Sequence, residues 1–292
     1  MNPTQIHSRA LLVWLTISTW TARRYDKAVT RKVNNDYAAS TDAGRYNKFL
    51  LPGDAQAYKT LIALAGSIRA EHYTKTLAWS DEGWRLLPTA NYMEYTTWFR
   101  QQQSAYKSAL DQFVADYPTM RAEAQIKLRG LYRDEDYPGV MDVRERFALD
   151  VQYSPVPAIG DFRVDLARDQ IDAIEQSVND RVEYAAQLAI KDAWDRLYQS
   201  VARISERLSD PEAIFRDSLI GNAREVCDAL KRLNVTDDPA LEEMRQHVER
   251  ELTAHDPAVL RDTPRVRRAV AEKADAILST MRDLYGSNGA AA

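Results

Sequence analysis

The chain has 292 residues, 45% hydrophobic and 28% charged, so it can bury a sizeable core and is not a disordered polymer. A formal net charge of −4 argues against a surface that grips nucleic acid all over, and leaves room for a local basic patch. The single cysteine, Cys227, excludes an intrachain disulfide; lying among Val226, Leu230 and Leu233 at helical spacing, it reads as a packed structural thiol.

Ala10 to Trp20 is apolar but too short and too rich in Ser and Thr to span a bilayer, and it lacks the basic flank of a secretion signal. The expectation is therefore a cytoplasmic protein with no membrane association. Leu11, Val13, Leu15 and Ile17 alternate with Leu12, Trp14, Thr16 and Ser18. β-branched and aromatic residues dominate, which predicts a strand covered on both faces over roughly 10–20, with a short helix as the alternative.

The segment TARRYDKAVTRKVNND follows. Arg23, Arg24, Lys27, Arg31 and Lys32, with Tyr25 among them, face only Asp26 and Asp36. If the segment is helical, Ala28, Val29 and Val33 give it a thin apolar stripe. A solvated helix face is the favoured reading, and a phosphate-binding patch made of these six residues is the other. Residues 40–44 read as a loop or helix cap. Asp54 is placed to cap a helix from about Ala55 to Thr76, with Tyr58, Leu61, Ile62, Ala65, Ile68 and His72 along one side. In residues 79–88 two tryptophans flank Asp81, Glu82 and Gly83, the pattern of a small hairpin or tight loop.

A helix starting at Thr89 or Asn91 runs to about Asp116, striped by Tyr92, Tyr95, Phe99, Tyr106, Leu110, Phe113 and Val114, a spacing that predicts core contact. Pro118 restarts a helix to Arg129, ended by Gly130. Asp134, Glu135 and Asp136 lack the alternate spacing of a calcium loop and read as a surface turn. Residues 146–154 and 161–166 alternate as strands, so that with the first strand a sheet of about three is expected, antiparallel or mixed.

From Leu166 to Leu208 there is neither Pro nor Gly. Apolar or small residues recur in threes and fours at Ile171, Ile174, Val178, Val182, Ala185 and Ala189, then at Trp194, Leu197, Val201, Ile204 and Leu208. One helix on the order of 60 Å long is predicted. It needs other helices, or a second copy of the chain, along its length. Prolines at 211, 239, 257 and 264, each behind an Asp or Thr, predict four further helix starts: about 211–233, 239–254, a short turn at 257–261, and 264–285, closed by Gly286. The fold expected is α+β, predominantly α-helical: residues 1–166 carrying the small sheet, 167–286 forming a helical bundle led by the long helix, and 287–292 a flexible tail.

Neither glycine-rich phosphate loop occurs, and no HExxH, paired CxxC or GxSxG either. No catalytic, cofactor or metal residue is therefore assigned. An enzyme whose acids meet only on folding leaves no local spacing to find, and stands as the third reading behind an interaction protein and a nucleic-acid binder.

Five stretches, ISTWTARRYDKAVT (17–30), DAGRYNKFLLP (42–52), WSDEGWRLLPTANY (79–92), SPVPAIGDFRVDL (154–166) and SDPEAIFRDSL (209–219), together resemble a domain family of unknown function from tailed phages and integrative mobile elements. The resemblance covers most of the chain. It implies a partner, because such proteins are encoded near a MoxR-type AAA+ ATPase and a von Willebrand factor A protein. It brings no catalytic residues. On it, the leading expectation is a non-enzymatic adaptor in the host-cell cytoplasm, with self-assembly as a further expectation. The alternative is a DNA-binding accessory of phage replication or recombination that uses the 23–32 segment.

Overall fold

A computed structural model describes residues 6–79, 83–158 and 168–289. Helices make up 69% of the chain, and the strands form a small antiparallel sheet, so the α+β, mainly helical class holds. In chain order the elements are α1 (Ile6–Arg9), β1 (Ala10–Ser18), β2 (Arg23–Tyr25), α2 (Lys27–Asp36), β3 (Asn47–Phe49), α3 (Gln56–Lys75), β4 (Leu77–Ala78), β5 (Trp84–Pro88) and α4 (Tyr92–Leu128). Then come α5 (Val140–Glu145), β6 (Ala148–Pro155), α6 (Arg168–Ser209), α7 (Ser218–Leu233), α8 (Pro239–Glu251), α9 (Pro257–Asp262) and α10 (Pro264–Gly289). No helix among the described residues is long and apolar enough to cross a membrane.

The sheet has four strands in the order β4-β5-β1-β6, and β2 with β3 forms a separate two-stranded ribbon. The expected third strand at 161–166 lies outside the described residues. The extra members come instead from the 77–88 hairpin, whose β5 pairs antiparallel with β1 from Ala10↔Pro88 to Trp14↔Trp84. At that end Trp14 and Trp84 meet edge to face with centroids 5.5 Å apart. Gly83 has φ +95°, and a Cβ there would stand 3.1 Å from the Trp14 ring, so the hairpin accepts only glycine at this position.

The chain forms two compact units, each discontinuous in sequence: one of 1–14, 73–95 and 152–292, the other of 15–72 and 96–151. A cut at residue 166 therefore does not describe them, and the boundaries fall inside β1, α3, α4 and β6.

In the first unit α6 is the axis. It packs chiefly against α10, then α7, and also touches β4 and α8. Val182, Ala185, Ala189, Trp194, Leu197, Val201, Ile204 and Leu208 are buried as the periodicity requires, whereas Ile171, Ile174 and Val178 in its first turns are only half-buried. Side chains on α6 also tie down neighbouring backbone. Asp192 accepts the amide of Ala78 at 3.0 Å, and Arg196 donates to the carbonyls of Tyr73, Thr74 and Thr76. These carbonyls lie at the end of α3, where a helix runs out of internal donors.

Three of the four proline starts are helix starts. Asp238 caps α8 through the amides of Ala240 and Leu241, Asp256 caps α9 through Ala258, and α10 begins at Pro264. The first is not. After Ser209 the chain turns, with Ala213 donating to the Asp210 carbonyl, and α7 waits until Ser218. Arg267 explains the difference. Its guanidinium takes the carbonyls of Arg207, Leu208, Asp210 and Ala213 and lies over the Phe215 ring, so these carbonyls bond a side chain instead of continuing a helix. The last helix also continues through Gly286 to Gly289, past its expected end, so the expected tail at 287 is still helical for three residues.

The second unit is centred on α4 and α3. Phe113 meets Tyr58, Tyr117 and Phe147 at centroid distances of 5.7, 5.9 and 5.3 Å, and Trp20 packs edge-on to Tyr117. Of the expected stripe, Phe99, Tyr106, Leu110 and Phe113 are buried in this unit, as is Tyr95 in the other, whereas Val114 is half-buried and Tyr92 exposed; His72, placed at the core boundary by sequence, is buried. Asp54 lies two residues ahead of α3 and accepts from Lys127 at 2.7 Å.

The break expected at Pro118 is absent, because α4 runs straight through it. Phe113 and Tyr117 before the proline and Met120 and Ala124 after it are all buried, and this shared packing holds the helix across a residue that costs about 3 kcal/mol in a helix interior. Nor does Gly130 close the helix: Arg129 takes the left-handed conformation, φ +47°, and begins a short 3-10 turn. Pro118→Ala should restore the missing amide donor and raise stability by about 1–2 kcal/mol, the gain being trimmed by the greater freedom of the unfolded chain. A urea midpoint that falls would mean that the proline holds a bend the core requires.

Candidate nucleic-acid interface

The six residues singled out by charge all lie in the second unit, on β2 and α2. They do not form one helix. Arg23, Arg24 and Tyr25 are strand, and Lys27, Arg31 and Lys32 are helix. The junction is Asp26. Its Oδ1 accepts the amides of Ala28 and Val29, both at 3.1 Å, and starts α2. The buried side of α2 is not the apolar stripe that the sequence suggests. Thr30 and Asn34 are buried, while Val33 is exposed. The reason is the loop from 37 to 46, which those polar side chains hold. Thr30 Oγ1 donates to the Asp26 carbonyl at 2.8 Å and accepts the Tyr46 amide at 2.9 Å, and Asn34 donates to the Thr41 carbonyl.

The loop returns as β3, which pairs antiparallel with β2: Arg23↔Phe49, Arg24↔Lys48, Tyr25↔Asn47. Directly opposed residues share a face and successive ones alternate. One face of the ribbon is therefore Arg24 with Lys48, and the other is Arg23, Tyr25, Asn47 and Phe49.

The first face is closed at Lys48, while Arg24 stays exposed. Lys48 is 2% exposed. Its Nζ lies 2.6 Å from Asp136 and 3.4 Å from Asp26, and donates to the Leu131 carbonyl at 2.9 Å. Arg24 reaches the same Asp136 at 3.3 Å. The acidic trio at 134–136 is thus not only a surface turn, since Asp136 is buried as the counter-ion of a lysine on β3. The Val29 amide, and after it Lys48, hold the Asp26 carboxyl below its ordinary pKa of 3.8, against the opposing effect of burial.

The second face is open. Tyr25 is 45% and Phe49 62% exposed, and Arg23 lies over the Phe49 ring at 4.8 Å from its centroid. Lys27, Arg31 and Lys32, on α2, are also exposed, without an ion pair among the described residues. Sequence reasoning found the cations and Tyr25 but missed Arg45, Tyr46, Asn47 and Phe49. The local sign was the alternation in RYNKF after Gly44, too short to be read as a strand.

Elsewhere the chemistry is thinner. Among the described residues no group of three or more His, Cys, Asp or Glu side chains could hold a metal ion. Cys227 is buried, with its thiol pushed up to about 11 by desolvation, so it stays protonated and unreactive. A concavity of about 240 Å³ lined by Trp194, Asp195, Tyr198, Met281 and Arg282 falls below the usual size of a small-molecule site. Comparison with protein-family models, with curated proteins and with solved structures finds no match to this chain.

Proposed function

We propose that this chain binds nucleic acid through β2, β3 and the first turns of α2. The observation that carries this reading is charge segregation on an open surface. Residues 21–51 hold seven Lys and Arg against three Asp, in a chain whose net charge is −4. The compact unit that carries them has 17 Lys and Arg against 14 Asp and Glu, the other 22 against 29. Of the three acids in the segment, Asp26 is turned inward to Lys48. With the resemblance to phage and mobile-element proteins, the role that fits is an accessory of DNA replication or recombination.

Binding of this kind releases counter-ions, so its logarithm should fall linearly with the logarithm of salt, by about 0.7–0.9 per phosphate neutralised. Gel-shift titration from about 50 to 200 mM salt is expected to show affinity falling with a slope of roughly −3, and Arg31→Ala with Lys32→Ala should flatten that slope by about 1–2. No shift of single- or double-stranded DNA at the lowest salt removes the reading.

A protein-binding role is the second reading. It is favoured by Ile171, Ile174 and Val178, which lie half-covered on the first turns of α6. The resemblance names the partner class, a MoxR-type AAA+ ATPase or a von Willebrand A protein. Co-purification with and without ATP decides it, and no association in either state ends it.

A further inference from the structure

Resting on the nucleic-acid reading, we infer that the ligand is single-stranded and that the open face of the β2–β3 ribbon is a stacking platform for its unpaired bases. Four residues form this face: Arg23 and Tyr25 on β2, Asn47 and Phe49 on β3. All four are exposed, and two are aromatic. Flat rings on an open two-stranded face find no use against a duplex, whose bases hide their faces in one another and offer phosphates and base edges. Unpaired bases offer π-faces of every sequence, and stack on Phe, Tyr and the guanidinium plane of Arg.

The geometry is prepared for this. Arg23 already lies 4.8 Å from the Phe49 centroid, so the guanidinium holds that ring in place and offers its own plane to a base. Tyr25 is two residues along β2 on the same face, one β-repeat away. The platform stands on rigid footing, because the opposite face is fixed by the buried Lys48 between Asp26 and Asp136. Lys27, Arg31 and Lys32 on α2, which follows β2, and Arg45 in the loop before β3 are all exposed and supply charge for the backbone of the strand. Aromatic platform and cationic track together are what sequence-tolerant single-strand binding requires. An acidic peptide would answer the cations but leave the rings without a partner.

Fluorescence anisotropy of the full chain with labelled oligothymidine and a duplex, each of about 20 nucleotides, tests this. The single strand should bind at least about tenfold more tightly than the duplex. Phe49→Ala and Tyr25→Ala should each weaken it by roughly five- to a hundredfold, and Phe49→Trp should restore it. The salt slope should stay at the wild-type value in Phe49→Ala and flatten in Arg31→Ala with Lys32→Ala, separating stacking from charge. All these side chains are exposed, and a circular-dichroism melt checks that each variant keeps its fold. Salt-dependent binding that ignores Phe49 and Tyr25, or that favours the duplex, overturns the platform and leaves the nucleic-acid reading standing. Equal binding of poly-glutamate, or no binding of any oligonucleotide, overturns both.

Discussion

Lys48→Met should lower the stability of its unit by about 3 kcal/mol, a large effect for one residue at the root of a surface ribbon. Removing one partner of a buried ion pair strands the other charge, typically at about 3–5 kcal/mol. Here the lower end applies, because each carboxylate keeps a second partner. Asp26 retains the amides of Ala28 and Val29, and Asp136 retains Arg24 at 3.3 Å. Methionine preserves most of the aliphatic packing of the lysine stem, so the loss reports on the charge. Adding Asp136→Asn to Lys48→Met should recover more than half of it by removing the stranded carboxylate. The pH dependence has a definite sign. Asp26 is held below its ordinary 3.8, so its contribution is present above that value and is lost as the pH falls through the lower folded pKa. The gap between wild type and Lys48→Met should be full at neutral pH and shrink below about pH 4. Urea unfolding followed by tryptophan fluorescence measures it, and a loss under about 1 kcal/mol would mean that water already reaches the pair.

That ion pair also marks the limit of what residue order discloses. Periodicity disclosed α6 within two residues at each end, because forty residues of threes and fours admit one conformation. β1 and β6 were legible by alternation and composition, and α8 and α9 by an Asp before a Pro, since the capping chemistry is wholly local. Pro118 and Pro211 misled in opposite directions for one reason. A proline's local preference is worth a few kcal/mol, and distant partners outweighed it: Trp20, Tyr58 and Phe147 packed on Tyr117 and Phe113 in one case, the guanidinium of Arg267 in the other.

The candidate interface was half-legible. Its charges could be counted, but three-residue strands have no measurable period, and β3 is separated from β2 by the whole of α2 and a loop. Nothing local reveals that Lys48 turns inward, because the carboxylate that demands it is Asp136, far along the chain. The consequence is functional. Burying Lys48 on one side is what forces Phe49 and Tyr25, of opposite parity, to the other.

Leu197→Ala and Ile174→Ala, two truncations of apolar residues on α6, should differ several-fold in effect. Leu197 is fully buried in the core cluster of its unit, which includes residues of α7, α8 and α10. Truncating such a leucine removes its transfer free energy and leaves a cavity that close-packed helices fill only in part, about 3–4 kcal/mol in all. Ile174 belongs to the earlier part of the apolar series and is only half-buried, so its truncation should cost under about 1 kcal/mol. Thermal melting separates them readily, since each kcal/mol moves the midpoint by about 2–4 °C in a chain of this size. Helix propensity adds little to the contrast, because Ala is favoured over both residues. If Ile174→Ala proved as costly as Leu197→Ala, the first turns of α6 would have to be covered in solution, by a second copy or by another segment of this chain. A concentration-dependent midpoint for wild type would identify the second copy, because mass action stabilises only an associating chain.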